Sequence, residues 1–455
     1  MWLHCSRFVC HCVVTLLFVC AICAQTAGAA AAAEESSDRY AIVIDGGSTG
    51  TRAHIYSYAY DASKCGSTGG VTVWMPDTSK KVRPGLSSFV DEPSLDVIER
   101  YLEPLRSFCV ESIDDAMHAS TVVLFRGTAG MRTMDEHTQG VFLSHIRAIL
   151  SSWPFLFRHE WAELMDGKRE GAMGWFVLNQ LLGTFGSDLT VIRQKHTRAD
   201  EQPTKEKAPN RAALVEVGGG SAQVVVEVDT NVSAATEQLD FCGSVYSLYS
   251  KSYDGLGRQL ALEGLVHTLS KGRQQENDSH TVSCLQRGAS MTLVQGSTYT
   301  AEGQPNFDTC RQDVDHFVLS SIDPLPFVLP PHTEIYAVEN YYYFNKYVRK
   351  DDSNMFTIAD FDQLAEQLCA NLSVDEVAIR IHPEAEREKA ETACFGLNFL
   401  SLLLTRVLRL PPEHKMHAVL DIANSSIAWP AGVVALTLPK IYRDVLHAAK
   451  IRDEL

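Results

Sequence analysis

The apolar positions of this chain fall into short runs that end on glycine. Tyr40-Ala41-Ile42-Val43-Ile44 is continuous enough for a strand buried on both faces, and it stops at Asp45 and a glycine turn. Ala53 to Tyr58 alternates, which predicts an antiparallel partner for that strand. Helical spacing follows around Ser94 to Phe108. A strand at Thr121 to Phe125 then enters the turn Arg126-Gly127-Thr128-Ala129-Gly130, and helices are expected around Glu136 to Leu150 and Gly171 to Leu182. Arg193 to Arg211 is polar and without period, and reads as an exposed loop. Ala212 to Val217 is a strand entering Gly218-Gly219-Gly220-Ser221, with Gln223 to Val228 as its hairpin partner. The pattern weakens afterwards. It predicts a strand at Glu334 to Val338, a helix at Ala390 to Leu408, a last strand at Ala418 to Ile422 and an amphipathic helix from Tyr442 to Ile451.

Two of these units echo one another. Ala41 to Ser48 and Ala213 to Ser221 share an apolar strand, a late acidic residue, a glycine turn with a hydroxyl, and a second strand. Such a repeat, a domain's length apart, suggests two related lobes facing each other across a cleft.

Glycine turns at strand ends let backbone N–H groups converge on an anion, because no Cβ blocks the approach. Ser48, Thr49 and Thr51 add hydroxyls on one side and Ser221 on the other, so opposed turns would clasp a polyphosphate. Asp45 and Glu216 would repel that polyphosphate unless a hydrated Mg²⁺ or Ca²⁺ lay between them. Glu170, at the mouth of a helix, could take a proton from an attacking water. On local sequence alone the stronger reading is an exposed first-turn glutamate favoured by the helix dipole. The turns themselves could be purely structural hairpin tips. Gly46-Gly47-Ser48-Thr49-Gly50 also fits the nucleophile elbow of serine esterases, but an elbow leads into a helix and here a strand is expected. No Walker A sequence is present.

Composition narrows the partners. With 45% hydrophobic residues the composition is ordinary for a globular protein, while the formal net charge of −16 is strongly negative and unsuited to binding nucleic acid. Arg7, the apolar run Val13 to Ala24 and small residues to Ala33 have the order of a secretory leader, with Ala27-Gly28-Ala29 a cleavage candidate. Membrane attachment is expected only if that segment is retained. Arg452-Asp453-Glu454-Leu455 resembles a lumenal retrieval signal of the endoplasmic reticulum. Seven cysteines follow the leader, none in CxxC pairs, which favours disulfides over zinc and leaves at least one thiol free. Sequons begin at Asn231, Asn277, Asn371 and Asn424.

Taken in order, IDGGSTGTR (Ile44–Arg52), RGTAGMR (Arg126–Arg132), DGKREGAMGW (Asp166–Trp175), VEVGGGSAQ (Val215–Gln223) and, more weakly, IAWPAG (Ile427–Gly432) resemble the five conserved regions of the apyrases, the nucleoside triphosphate diphosphohydrolases. The resemblance spans nearly the whole chain. It implies an α/β fold of two ribonuclease-H-like, actin-like lobes flanking a nucleotide cleft. Residues 38–178 with about 430–455 would form lobe I and residues 179–429 lobe II, after a leader at 1–33. It implies Glu170 as general base, with Ser221 and Gln223 holding the water. Asp45 and Glu216 would hold the metal through waters, and Gly47, Ser48, Thr49, Gly50, Thr128, Gly218, Gly219 and Gly220 would line the phosphates. Tyr342, within Tyr341-Tyr342-Tyr343, resembles the stretch that stacks on the base. Glu216 departs from the family's usual aspartate, which bears on metal preference or rate. Cys284 with Cys310 and Cys369 with Cys394 resemble family pairs, and Cys65 is assigned to Cys109, leaving Cys242 free. The expected reaction is direct attack of water on the terminal phosphate, with UDP or GDP as lumenal substrates. The rival from another class is an actin-like nucleotide-binding chaperone or assembly protein, which needs no base at Glu170.

Overall fold

The computed structural model describes residues 39–453 apart from 62, 66–68, 195–209, 230–235, 271–278 and 295–297. The expected leader, the end of the tail motif and most of the expected loop lie outside the described residues.

The first sheet has the order β5-β4-β1-β2-β3-β6. Its strands are β1 (Arg39–Gly46), β2 (Thr51–Asp61), β3 (Gly70–Val82), β4 (Val122–Gly127), β5 (Ala162–Leu164) and β6 (Ile192–Gln194). β1, β2 and β3 are antiparallel, while β4 runs parallel to β1. The second sheet has the order β15-β16-β14-β7-β8-β10-β9. It contains β7 (Ala213–Val217), β8 (Ser221–Glu227), β9 (Glu237–Phe241), β10 (Ser244–Asp254), β14 (Ile335–Glu339), β15 (Met355–Phe356) and β16 (Met416–Ala418). Again a hairpin, β7–β8, is flanked by a parallel strand, β14, on the other edge of β7. Each sheet thus carries the same ribonuclease-H-like plan. A small third sheet, β11 (Ser279–Val282), β12 (Ser290–Val294) and β13 (Thr298–Gly303), decorates the second unit.

Period-two alternation decides the layers. Ile42 and Ile44 face the helices Leu95–Ser112 and Glu136–Ser151, while Ala41 and Val43 face a central layer. That layer holds the helix Gly167–Leu181 and the N-terminal part of Trp429–Asp453, and Leu214 and Val225 of the second sheet close it from the other side. Ala213, Val215 and Val217 point the opposite way, into a core built with helices Arg258–Ser270, Phe307–Ser321, Ile358–Leu368 and Ala393–Arg406. The result is helices, sheet, helices, sheet, helices.

Several expectations change. Ala418 to Ile422 is not one strand: β16 ends at Ala418, and Asp421–Ile422 pairs with Ser425–Ser426 in a separate hairpin whose turn holds Ala423 and Asn424 at positive φ. The Ala390–Leu408 helix is two helices, Arg387–Glu391 and Ala393–Arg406, broken at Thr392. Cys65 pairs with Cys242, not Cys109. Cys109 continues the apolar stripe Ile98, Leu102, Leu105 into the outer core of the first sheet, which holds no other cysteine among the described residues, and it stays a buried thiol. Cys65 lies between β2 and β3 and Cys242 between β9 and β10, so this bond ties the two sheets together. The pairs Cys284–Cys310 and Cys369–Cys394 are formed as expected. Of the sequons, Asn371 and Asn424 are exposed. Among the described residues no helix is long and apolar enough to cross a membrane.

Candidate active site

The two glycine turns meet. A Cβ placed on Gly220 would lie 2.8 Å from both Cβ and Oγ of Ser48, and one on Gly219 would lie 2.5 Å from Thr49 Cγ2. At Gly220 a side chain would force the two turns apart, whereas at Gly219 the Thr49 methyl would have to move. Behind the second turn, the carbonyls of Gly218 and Gly219 accept hydrogen bonds from the N–H groups of Arg258, Gln259 and Leu260. Asn340 Nδ2 also donates to the carbonyls of Val217 and Gly218. The carbonyl oxygens of Gly218 and Gly219 are therefore already engaged.

Around the gap opens a cleft of about 850 Å³. Its lining includes Asp45, Gly47, Ser48, Thr49, Gly50, Thr128, Glu170, Glu216, Gly218, Gly219, Gly220, Ser221 and Gln223; of the residues expected from sequence only the aromatic one and Thr51 stay outside it, Thr51 being fully buried with its hydroxyl accepting from Tyr101 at 3.0 Å. Tyr342 does not line it; Tyr343 and Tyr347 do, with ring centroids 6.4 Å apart and nearly parallel. The reason is local geometry. Asn340–Tyr343 is a single helical turn that widens into a π-helix at Phe344–Val348, so Tyr343 and Tyr347 share the face turned to the cleft.

Glu170 is buried and belongs to the first turn of the Gly167–Leu181 helix, which Asp166 caps by accepting from Lys168 N at 2.8 Å. Gly167, Gly171 and Gly174 form a flat face on this helix. A Cβ on Gly171 would sit 2.8 Å from Val225 Cγ2, and one on Gly174 would sit 3.0 Å from Leu214 Cδ2. These glycines serve close packing on the second sheet rather than a turn before the helix. Arg132 Nη1 donates to Glu170 Oε2 at 2.7 Å, while its Nε and Nη2 grip both oxygens of Asp254 at 3.0 and 2.7 Å. Asp254 Oδ1 accepts from Ser252 Oγ, and Ser252 Oγ accepts from Gln223 Nε2, which also donates to Ser221 Oγ at 2.8 Å. One network thus runs from the base candidate, through a cation of the first lobe, to the hydroxyl and amide of the second.

Of the carboxyl groups that line the cleft, four are raised. Burial raises Glu170, with Arg132 opposing it, and burial with the Glu170 charge pushes Asp45 up to about 7. Glu216 is raised well above the usual range by burial and by Glu170, Glu339 and Asp45, and Glu339 is raised by burial. Asp45 Oδ1 is buried without a hydrogen-bond partner among the described residues. A divalent cation fits this arrangement, since it would satisfy that oxygen and offset the repulsion among the carboxylates. Among the described residues no three His, Cys, Asp or Glu side chains enclose an ion by themselves. Asp45 and Glu216 would share it with water and substrate oxygens.

His54 lines the same cleft with Nδ1 2.7 Å from Asp77 Oδ2, yet it makes no hydrogen bond to Ser48. The turn at Ser48 leads into β2, a strand. The esterase constellation is not assembled among the described residues.

Residues 31–444 match the GDA1/CD39 (nucleoside phosphatase) family. The chain belongs to that family. Among its relatives, the guanosine-diphosphatase of Schizosaccharomyces pombe is 24% identical over 87% of this chain and 72% of its own length. The human nucleoside diphosphate phosphatase ENTPD5 is 24% identical over 87% of each. Probable apyrase 6 of Arabidopsis thaliana is 34% identical over 51% of this chain and 38% of its own. The fold is that of the crystallised nucleoside triphosphate hydrolases from Neospora caninum, with a TM-score of 0.59 at 15% identity over 92% of this chain and 96% of that one. Arg132 and Asp254 escaped the sequence reading. Arg132 sat inside a quoted motif, but nothing local said which carboxylates it would bridge. Glu339, Lys81 and Arg258 also line the cleft and carried no motif signal.

Proposed function

We propose that this member of the nucleoside phosphatase family removes the terminal phosphate of nucleoside diphosphates, and of triphosphates more slowly, by direct attack of water. The observation that carries the reading is the buried Glu170 carboxylate beside two opposed glycine turns, held by Arg132 at 2.7 Å. Ser221 Oγ and the Gln223 amide position the water, and Glu170 accepts its proton as oxygen attacks phosphorus and the bridging P–O bond breaks. A carboxyl raised by burial is a stronger base than a solvated one, which suits proton abstraction near neutral pH. Gly47, Ser48, Thr49, Gly50, Thr128 and Gly218 to Gly220 cradle the phosphates. A divalent cation held by Asp45 and Glu216 would neutralise phosphate charge when bound. Tyr343 and Tyr347 offer the nucleobase a flat apolar surface.

The preference for diphosphates, UDP or GDP, is supported by relatives named guanosine-diphosphatase and nucleoside diphosphate phosphatase. Three disulfides support an oxidising, lumenal setting in the secretory pathway. Phosphate release from UDP, GDP, ADP and the triphosphates, with Mg²⁺, Ca²⁺ or chelator, tests the reading. Glu170→Gln is expected to cost 10²–10⁴-fold in kcat while the protein stays folded. Turnover insensitive to that substitution would end the proposal, and a clear preference for ATP over UDP and GDP would end its diphosphate part.

A further inference from the structure

Glu339 lines the cleft, and its charge acts on Asp45 and Glu216, yet the hydrolytic scheme gives it no contact of its own. It is the last residue of β14 and stands in register with Val217, the residue just before the Gly218 turn. Asn340, its neighbour, is fastened to the carbonyls of Val217 and Gly218. Tyr343 follows one helical turn later, close enough that Glu339 helps push its hydroxyl up to about 12, after burial. Glu339 therefore lies between the phosphate turn and the aromatic pair. A nucleotide reaching from one to the other must lay its sugar there.

The backbone is unusual at this point. Glu339 has φ 58° and ψ −113°, a conformation that side-chain-bearing residues rarely adopt. Strain of this kind persists where the surroundings hold it, and it concentrates at ligand sites. No described residue forms a hydrogen bond or salt bridge with the Glu339 side chain, although Arg52, Lys81 and Lys389 lie within electrostatic reach. The half-buried carboxylate keeps its acceptor capacity for something that enters the cleft.

Resting on the nucleotide reading above, we propose that Glu339 recognises the ribose of the substrate by accepting hydrogen bonds from its 2′- and 3′-hydroxyls. A vicinal diol offers two donors at a spacing one carboxylate can accept, the chemistry by which acidic residues at strand ends hold ribose in dinucleotide-binding folds. Glu339 is thus a specificity residue for ribonucleotides over deoxynucleotides.

Binding tests this separately from turnover. Calorimetry with Mg²⁺ measures GDP and 2′,3′-dideoxy-GDP on the Glu170→Gln protein and on Glu170→Gln/Glu339→Gly. Glycine accepts positive φ without strain, so the double variant should melt no lower than its parent. GDP is expected to bind the parent about tenfold or more tighter than the dideoxy nucleotide, because two charge-assisted hydrogen bonds are lost with the hydroxyls. In the double variant that ratio should fall to near one. Equal affinities in the parent, or a ratio that survives Glu339→Gly, overturns the proposal. So does a variant that only raises the Mg²⁺ requirement, which assigns the carboxylate to the cation, or one that only alters the GDP-to-UDP preference, which assigns it to the base. Failure of wild-type turnover with the ratio intact would instead strike the hydrolase reading.

Discussion

Gly220→Ala is the sharpest probe of the facing turns. An added Cβ would meet Ser48 Cβ and Oγ at 2.8 Å and Ala129 Cβ at 3.2 Å. Ordinary carbon–carbon contact begins at about 3.5–4.0 Å, so the shortfall is ~1 Å. Ser48 cannot swing its Cβ aside, because that atom is fixed to the backbone. Relief must come from separation of the two turns themselves. Both turns cradle the same phosphates, and a misplacement of ~1 Å at a reacting centre costs about 10²-fold. That corresponds to ~2.7 kcal/mol of transition-state stabilisation. Overpacking of this size takes ~1–3 kcal/mol from stability, which should leave a folded protein with a lower Tm. The assay is phosphate release from GDP, read as kcat/KM beside a thermal melt. On a Ser48→Gly background the same substitution should cost less than tenfold, since the two 2.8 Å contacts are gone and only Ala129 Cβ at 3.2 Å remains. A folded Gly220→Ala protein with a third or more of wild-type kcat/KM would refute the facing-turn geometry, and the proposed clasp with it.

Other outcomes follow from separate parts of the molecule. Because Asp45 is raised to about 7 from an ordinary value near 4, the folded protein binds more protons than the unfolded chain between those values. Its contribution to stability in chelator is therefore full at low pH and is lost as pH rises through about 7, and added Mg²⁺ should reverse the loss in melts at pH 8. A chelated protein whose Tm is insensitive to Mg²⁺ at pH 8 would count against a cation at Asp45. Cys242→Ser opens a loop of 177 residues and should lower unfolding free energy by at most ~5 kcal/mol in the chain-entropy view, measured by denaturant titration. Cys109, with its thiol pushed up to about 12 by burial, should resist thiol reagents until the protein unfolds. Gly140 sits exposed in the Glu136–Ser151 helix with open space where a Cβ would go, so Gly140→Ala should raise stability by ~0.5–1 kcal/mol with kcat unaltered.

The sequence by itself determined the parts governed by near neighbours. The apolar run before Asp45, its echo before Glu216 and the glycines after each are visible within ten residues, because strand period and turn chemistry are local. Glu170 at a helix mouth was visible too, although only the family resemblance chose its role over an idle first-turn glutamate. The tertiary structure decided what depends on which face meets which. Arg132 bridges Glu170 and Asp254 because two lobes close on it, and those carboxylates are 38 and 122 residues away along the chain. Cys65 finds Cys242 rather than Cys109 because the helix stripe buries Cys109 on the far side of the first sheet. A widened helical turn gives the cleft Tyr343 instead of Tyr342, and Glu339 enters it through a backbone angle no local pattern specifies. Contacts across a gap are set by packing between distant segments, and a one-dimensional pattern carries no register for them.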